Sequence, residues 1–281
     1  MNSSLLSPAT QVDLHIHTTA SDGTWTAAQL VERVKQAGIG LFAVTDHDSV
    51  GNVEEAARLA AAASVAFIAG VEISSSRDGR DFHILGYGID LHSGPLTGLL
   101  RHNSELMAAA DDASIRILID QGLPLDYAEY LAYSHDRSRG GWKALSYLID
   151  KGLCTGVDDF FQRLFTAEHG IAFPVFPSPQ AVIAAIHAAG GRAVLAHPAS
   201  RFHGTQLEET LDAFAAEAID GVECFHPSHS AEDSRRAAQW CRRRGLLISG
   251  GSDCHGGFVP QRRLGLPAVC LADLVLAGLI Q

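Results

Sequence analysis

Cysteine, positive charge and long apolar runs are all scarce in this chain of 281 residues. The five cysteines form no CxxC pair and no regular spacing, which is typical of reduced thiols in a cytoplasmic protein and not of a disulfide framework. Acidic residues outnumber basic ones by 32 to 21, and the net charge of −11 argues against a long electrostatic groove for nucleic acid. No uncharged apolar run approaches the roughly 20 residues that span a bilayer. We therefore expect a cytoplasmic protein that does not enter the membrane, and no protein partner is indicated.

Strand-like and helix-like segments alternate in the first third of the chain. Segments typical of buried strands cover residues 11–17, 39–45, 65–74 and 81–88. Thr26 and Gln29 form a capping-box signature at the start of a helix, and Gly38 ends that helix. Alternation with short connections predicts an α/β fold with parallel strands and the helices outside.

The pattern changes between residues 93 and 177, where we find helical periodicity and no convincing strand. This region is predicted to be a helical insertion that covers the active site. Ser178 and Pro179 then begin a new helix, and the alternation resumes with strands near residues 192–197, 220–225 and 246–249. We therefore predict that residues 11–92 and 178–281 together form one α/β barrel, which the insertion interrupts.

Side chains that commonly bind metal ions recur beside the predicted strands. Nine of them follow in order along the chain: His15, His17, Asp22, His47, Glu72, His83, His197, Asp253 and His255. Residues i and i+2 of a strand face the same side, so His15 and His17 can share one ion. Since active sites of α/β barrels lie at the C-terminal ends of the strands, the series predicts a multinuclear metal site at that face.

These residues resemble those of the polymerase-and-histidinol-phosphatase (PHP) family of metal-dependent phosphoesterases. The resemblance is carried by Asp13-Leu14-His15-Ile16-His17, Ser21-Asp22-Gly23, Thr45-Asp46-His47-Asp48, Gly70-Val71-Glu72, His83-Ile84-Leu85-Gly86-Tyr87, Ala196-His197-Pro198 and Gly251-Ser252-Asp253-Cys254-His255. It implies a distorted seven-stranded (β/α) barrel that holds two or three divalent ions.

The resemblance also implies how the ligands divide among the ions. One ion would take His15, His17, Glu72 and Asp253; a second would share Glu72 and take His83 and His197; a third would take Asp22, His47 and His255. Mixed nitrogen and oxygen donors suit Mn²⁺, which we expect, and also Zn²⁺ or Fe²⁺.

Within the family, the chain is similar to phosphatases that act on nucleoside 3′,5′-bisphosphates, such as adenosine 3′,5′-bisphosphate. This implies removal of the 3′-phosphate to leave the 5′-monophosphate. A 5′→3′ exonuclease on short oligonucleotides and a histidinol-phosphate phosphatase remain alternatives, because the metal set does not separate them. A non-catalytic polymerase accessory domain is a further alternative, but it predicts lost ligands, and all nine are present here.

Candidate substrate contacts lie mainly in the insertion, where a polar, basic cluster could hold a second phosphate. Its members are Ser134, His135, Arg137, Arg139 and Lys143, with Arg101 and His102 as a further pair. A solvated loop is the alternative interpretation of this cluster. Relatives often carry an Arg-x-His motif here; Arg139 matches its arginine, but Gly141 stands in place of the histidine.

Two further residues are candidates for catalytic roles. His229 follows a predicted strand on the active face, which favours substrate binding or proton transfer over packing. Asp46 lies beside His47 and is expected to orient a metal ligand without binding the ion itself.

Overall fold

Eight strands form one sheet that curls almost into a closed barrel. The computed structural model describes residues 6–200 and 206–280. The strands are β1 (Gln11–Asp13), β2 (Ile39–Val44), β3 (Ala66–Arg77), β4 (Arg80–Tyr87), β5 (Arg192–Leu195), β6 (Gly221–Phe225), β7 (Leu247–Gly250) and β8 (Val269–Cys270). Their order is β7-β6-β5-β4-β3-β2-β1-β8. The segment after β1 also approaches β7, where the Leu14 amide donates to the Gly250 carbonyl at 3.1 Å.

The seven predicted strands correspond to β1–β7, which confirms the α/β barrel. β8 was not predicted, because a strand of two residues carries no periodicity. It pairs antiparallel with β1 at the edge of the sheet.

Nine α-helices lie within the described residues. They are α1 (Ala27–Gln36), α2 (Val53–Ala62), α3 (Gly94–Asp120), α4 (Tyr127–Ala132), α5 (Lys143–Asp150), α6 (Val157–Asp159), α7 (Pro179–Ala188), α8 (Leu207–Ala215) and α9 (Ala231–Arg244). The capping box of Thr26 and Gln29 is present at the start of α1, and Ser178 caps α7 as predicted. None of the described helices has the length and apolar character that crossing a bilayer requires.

The prediction of parallel strands is wrong for β4, which runs antiparallel to both β3 and β5. Asp78 and Gly79 connect β3 to β4, and both have positive φ (51° and 72°). Two residues with positive φ form the tight hairpin turn that reverses the chain, whereas a parallel crossover needs a dozen or more residues.

This hairpin also corrects the placement of two candidate ligands. Glu72 lies in the middle of the twelve-residue β3, and His83 lies inside β4, so neither stands at a strand end. Ser74 pairs with His83 across the hairpin, two residues beyond Glu72. The pairing brings both ligands to one place on the sheet although the strands run in opposite directions.

The apolar core has separate parts in the barrel and in the region from α3 to α6. The barrel packs α7 and α9 against the sheet around residues such as Tyr87 and Ile186. A distinct cluster of the insertion includes Ile115, Tyr130, Leu145, Leu148 and Phe160. The helices from the second half of α3 to α6 pack on one another, whereas Leu96 and Leu100 at the start of α3 belong to the core of the barrel.

Candidate metal centre

Glu72 is the centre of the candidate site. Its Oε2 lies 3.1 Å from His15 Nε2, 3.2 Å from His17 Nε2 and 3.1 Å from His47 Nδ1. The carboxylate is fully buried, and burial by itself raises its pKa. The surrounding imidazoles, led by His15, outweigh burial and lower the pKa of Glu72 well below its usual range.

The second oxygen of Glu72 faces two more histidines. Oε1 lies 3.0 Å from His83 Nδ1 and 3.0 Å from His197 Nε2. His197 has a φ of 30°, an uncommon backbone conformation for a side chain of this size. One carboxylate therefore lies within contact distance of five imidazoles, an arrangement suited to a ligand that bridges two cations.

Asp253 and Asp22 complete the cluster. Asp253 Oδ1 lies 3.1 Å from His17 Nε2, and Asp22 Oδ2 lies 3.3 Å from His255 Nε2. His17 and His255 stack with their ring centroids 4.0 Å apart. The structure thus brings all nine candidate ligands together from segments that span 240 residues of the chain.

The grouping of these atoms partly follows the division expected from the resemblance. His15, His17, Glu72 and Asp253 form one group with mutually close ligand atoms, as expected for the first ion. The expected third set, Asp22, His47 and His255, forms another group, to which His17 also belongs. His83 groups with His47 and Glu72, and His83 and His197 both lie 3.0 Å from Glu72 Oε1, as expected for the second ion.

The donor atoms themselves fit divalent cations. Nε2 of His15 and His17, Oε2 of Glu72 and Oδ1 of Asp253 are all buried, and none of them makes a hydrogen bond. Buried polar atoms normally find a partner, and leaving one without costs about 1–3 kcal/mol. Four such atoms converge on the same space, and divalent cations held by them would satisfy all four.

Burial lowers the pKa of His47 to about 3, although Glu72 acts in the opposite direction. His17 differs: burial would lower its pKa, but Asp253 and Glu72 prevail and raise it to about 10. The neutral imidazole is the form that binds metal, so His47 offers a free ring nitrogen at neutral pH.

Glu223 on β6 supports two of the ligands and was not predicted. Its Oε1 accepts a hydrogen bond from His15 Nδ1 at 2.9 Å, and its Oε2 accepts one from the His197 amide at 2.8 Å. The bond to Nδ1 fixes the ring so that Nε2 points at Glu72. Sequence reasoning could have found it, because a glutamate inside an otherwise apolar strand is unusual.

Asp46 lies where a supporting role was expected. Its Oδ1 accepts hydrogen bonds from the Thr18 amide at 2.7 Å and the Ser21 hydroxyl at 2.6 Å. Its Oδ2 accepts a third from the Thr18 hydroxyl at 2.6 Å. The Asp46 side chain thus holds the turn that leads to Asp22, and the Asp46 carbonyl accepts a hydrogen bond from the Glu72 amide at 3.2 Å.

His229 lies beside the site with both ring nitrogens facing backbone groups. Nδ1 lies 3.1 Å from the Cys224 carbonyl, and Nε2 accepts from the Ala199 amide at 3.3 Å. Its neighbour His226 instead reaches the centre, with Nε2 at 3.1 Å from Asp253 Oδ2. This geometry suits His229 to holding two loops together.

The basic cluster of the insertion does not converge on one point. Arg139 forms a bidentate pair with Asp150 at 2.7 and 2.8 Å. Lys143 Nζ donates to the Leu131 carbonyl at 3.1 Å. Arg137 reaches the turn between His17 and Asp22, where its Nη1 donates to the Thr19 carbonyl at 3.0 Å.

The other candidate substrate contacts are divided between this cluster and α3. Ser134 is exposed, and His135 is partly buried, which lowers its pKa. Arg101 and His102 are exposed on α3. The next residue, Asn103, is buried and donates to Asp48 Oδ1 at 2.7 Å, so α3 passes close to the candidate centre.

Two consecutive glycines join the insertion to the metal ligands. The Gly141 amide donates to the Asp22 carbonyl at 2.7 Å. Gly140 has a φ of 73° and a ψ of 179°, a conformation essentially restricted to glycine. A Cβ at Gly140 would lie 2.6 Å from Phe258 Cβ and 2.9 Å from the Asp22 carbonyl oxygen. Only glycine allows this close approach.

Comparison with known proteins gives consistent matches over most of the chain. The PHP domain family matches residues 13–167. The 3′,5′-nucleoside bisphosphate phosphatase of Chromobacterium violaceum is 31% identical over 274 residues, which cover 92% of this chain and 93% of that protein. A 5′-3′ exoribonuclease of Haemophilus influenzae is 30% identical over 248 residues, with 86% and 89% covered.

A solved structure supports the same relationship. A Bifidobacterium adolescentis protein assigned to the metal-dependent phosphoesterases superposes with a TM-score of 0.82 at 28% sequence identity. The superposition covers 95% of this chain and 94% of that one. The barrel and the region from α3 to α6 therefore match together.

Proposed function

Since the chain belongs to the PHP family and is an enzyme, a metal-dependent phosphatase, we propose that it removes the 3′-phosphate from nucleoside 3′,5′-bisphosphates. The products are the nucleoside 5′-monophosphate and inorganic phosphate, and adenosine 3′,5′-bisphosphate is the substrate of choice. The observation that carries this proposal is the convergence of nine candidate ligands, with Glu72 at their centre, in a chain similar over nine-tenths of its length to a phosphatase of that class.

Two or three divalent cations, with Mn²⁺ preferred, fit the donor set of imidazoles and carboxylates. His15, His17, Glu72 and Asp253 would hold one of them. The remaining ligands, Asp22, His47, His83, His197 and His255, would hold the others. Such ions supply Lewis acidity that activates water and neutralises charge on the phosphoryl oxygens.

The residues around the centre keep the ligands oriented and the site enclosed. Glu223 fixes the ring of His15, and Asp46 holds the turn that leads to Asp22. Gly141 and Arg137 attach the insertion to that same turn. Ligands that are already oriented beneath the insertion favour transfer of the phosphoryl group to water. They need to move little when negative charge builds up on the phosphoryl oxygens in the transition state.

Of the candidate substrate contacts in the insertion, we propose Arg137 as the residue that binds the second phosphate. Its guanidinium lies over the carbonyls of Thr19 and Ala20, at 3.0 and 3.3 Å. Ser134, His135, Arg101 and His102 remain candidates for contacts with the rest of the nucleotide.

The test is phosphate release by the Mn²⁺-loaded protein from adenosine 3′,5′-bisphosphate. Parallel reactions contain 5′-AMP and histidinol phosphate. We expect rapid release from the bisphosphate with 5′-AMP left intact. Equal hydrolysis of 5′-AMP, or hydrolysis of histidinol phosphate alone, would contradict the proposed substrate.

A second candidate function is a 5′→3′ exonuclease that acts on short oligonucleotides. The relationship to the exoribonuclease of H. influenzae supports it, since the same metal centre can cleave a phosphodiester. A 5′-phosphorylated dinucleotide separates the two functions. Cleavage of the dinucleotide at a rate above that of bisphosphate hydrolysis would favour the exonuclease.

We also propose a cytoplasmic location, since all five cysteines are free thiols. Fractionation of cells that express the protein tests this proposal. No partner beyond the nucleotide substrate is proposed.

A further inference from the structure

The loop of residues 255–265, which follows β7, is fixed over the candidate metal centre at both ends. Near its start, the Gly257 amide donates to the Thr24 hydroxyl at 3.1 Å. At its end, the Gly265 amide donates to Oδ2 of the fully buried Asp13 at 2.8 Å. The loop is therefore held in place independently of the side chains that it presents to the site.

Arg262 in this loop forms an ion pair with Asp253. Its Nη1 contacts Asp253 Oδ2, the same oxygen that His226 Nε2 approaches at 3.1 Å. The other oxygen, Oδ1, faces His17 Nε2 at 3.1 Å and His15 Nε2 at 3.5 Å. Asp253 thus presents one oxygen to the candidate cations while Arg262 occupies the other.

The guanidinium of Arg262 extends from the buried centre to solvent. Its side chain is 36% exposed, against 2% for Asp253. Among residues 6–200 and 206–280, it is the lysine or arginine that forms an ion pair with a candidate metal ligand. Its Nε and Nη2 make no hydrogen bond to another described residue. These N–H donors of the guanidinium therefore remain available to bind a ligand.

We propose that Arg262 binds the phosphoryl group that is transferred at the metal centre. This inference rests on the proposed phosphatase function and adds a residue that contacts the substrate. The buried carboxylates of Glu72, Asp253 and Glu223 and the partly buried carboxylate of Asp22 surround the centre and repel a phosphate dianion, and a cation at the rim offsets this repulsion. Guanidinium donors match phosphate oxygens, and the ion pair with Asp253 holds them oriented before substrate arrives.

The neighbouring Arg263 is a matched control. It carries the same charge in the same loop but is exposed, and it forms no ion pair with a described residue. We therefore compare Arg262→Ala, Arg262→Lys and Arg263→Ala, each loaded with Mn²⁺. Thermal unfolding of each variant checks that it is folded. If Arg262→Ala does not fold, the phosphate affinity of Arg262→Lys tests the proposal in its place.

The measurement is calorimetric titration with inorganic phosphate, alongside a separate titration of the metal-free proteins with Mn²⁺. We expect phosphate affinity to fall about tenfold or more in Arg262→Ala, because a charge-assisted hydrogen bond is lost. Arg262→Lys should fall between the alanine variant and the unsubstituted protein, and Arg263→Ala should stay within about twofold of the latter. Mn²⁺ affinity should change by less than phosphate affinity.

Equal phosphate affinity in Arg262→Ala and Arg263→Ala overturns the proposal. A loss of Mn²⁺ affinity as large as the loss of phosphate affinity also overturns it, since Arg262 would then act only by positioning Asp253. Binding of inorganic phosphate requires no turnover, so a protein that fails to hydrolyse the bisphosphate can still support or contradict the role of Arg262.

Discussion

Charged residues are arranged in opposite ways in the barrel and in the helical region between residues 93 and 177. In the barrel, the candidate ligands are far apart in sequence, yet their atoms meet within a few ångströms around the buried Glu72. In the insertion, the residues from Ser134 to Lys143 are adjacent in sequence, yet their side chains diverge to separate partners. Proximity along the chain is thus a poor guide to a shared site, whereas strand position is a good one.

The burial of the charges explains the difference. A charge removed from water must be paired or bound to a cation, so buried ligands must converge. Exposed pairs such as Arg139 with Asp150 and Lys151 with Glu129 remain hydrated, and each can take the nearest partner. Substitutions should therefore have large effects in the barrel and small ones in the insertion.

The largest effect is expected for Glu72→Gln. The amide keeps the size of the side chain but removes the charge that five imidazoles face, so metal should be lost and turnover should fall at least about 1,000-fold, equivalent to about 4 kcal/mol. Elemental analysis and phosphate release measure the two effects. The surface variant Glu129→Gln is the control. Unchanged metal content and turnover in Glu72→Gln would show that Glu72 is not a metal ligand.

A smaller loss is expected for Glu223→Gln. The charge that holds the His15 ring disappears while the side chain keeps its shape, and loss of such a supporting partner typically lowers metal affinity or activity about 10–100-fold. Titration with Mn²⁺ tests this, with Glu217→Gln as a control, because Glu217 pairs with Arg77 away from the ligands. If both variants bind Mn²⁺ alike, Glu223 contributes only to packing.

In the insertion, Asp111 should make stability depend on pH. Burial, with a contribution from Asp112, raises the pKa of Asp111 to about 7, although the Ala144 amide acts against it. The folded state therefore retains a proton that the unfolded state releases, so stability falls as pH rises from about 4 to 7. Asp111→Asn should remove this penalty and gain about 1–3 kcal/mol at pH 8 but almost nothing at pH 4.

Urea unfolding of Asp111→Asn and the unsubstituted protein between pH 4 and 8 gives the difference directly. Asp120→Asn, on the exposed face of the same helix α3, serves as the control. A difference between Asp111→Asn and the unsubstituted protein that does not change with pH would mean that Asp111 is ionised throughout.

The smallest effect is expected for Arg139→Ala. Its pair with Asp150 is about 40% exposed on both sides, and such pairs contribute about 0–1 kcal/mol. KM should therefore stay within about twofold, as it should in Asp150→Ala. A tenfold rise of KM in Arg139→Ala alone would show that Arg139 leaves Asp150 to bind substrate. Substitutions in the insertion would then no longer have uniformly small effects.

Local sequence patterns were sufficient for most of the fold. Two signals were enough: the caps of α1 and α7, and the apolar segments of seven strands. Both depend on burial and backbone preference within a few neighbouring residues. The direction of β4 was missed, although Asp78-Gly79 is a turn signal that could have revealed it. β8 was missed because two residues carry no pattern.

By itself, the sequence determined the α/β class and which side chains are available to bind metal, because both depend on residue type and on spacing along single strands. The tertiary structure alone decided which atoms meet. Glu223 reaches His15 across 208 positions of the chain, and Arg262 reaches Asp253 because two hydrogen bonds fix its loop. Such contacts depend on how strands and loops that are distant in sequence pack together. A pattern within a few neighbouring residues does not contain that information.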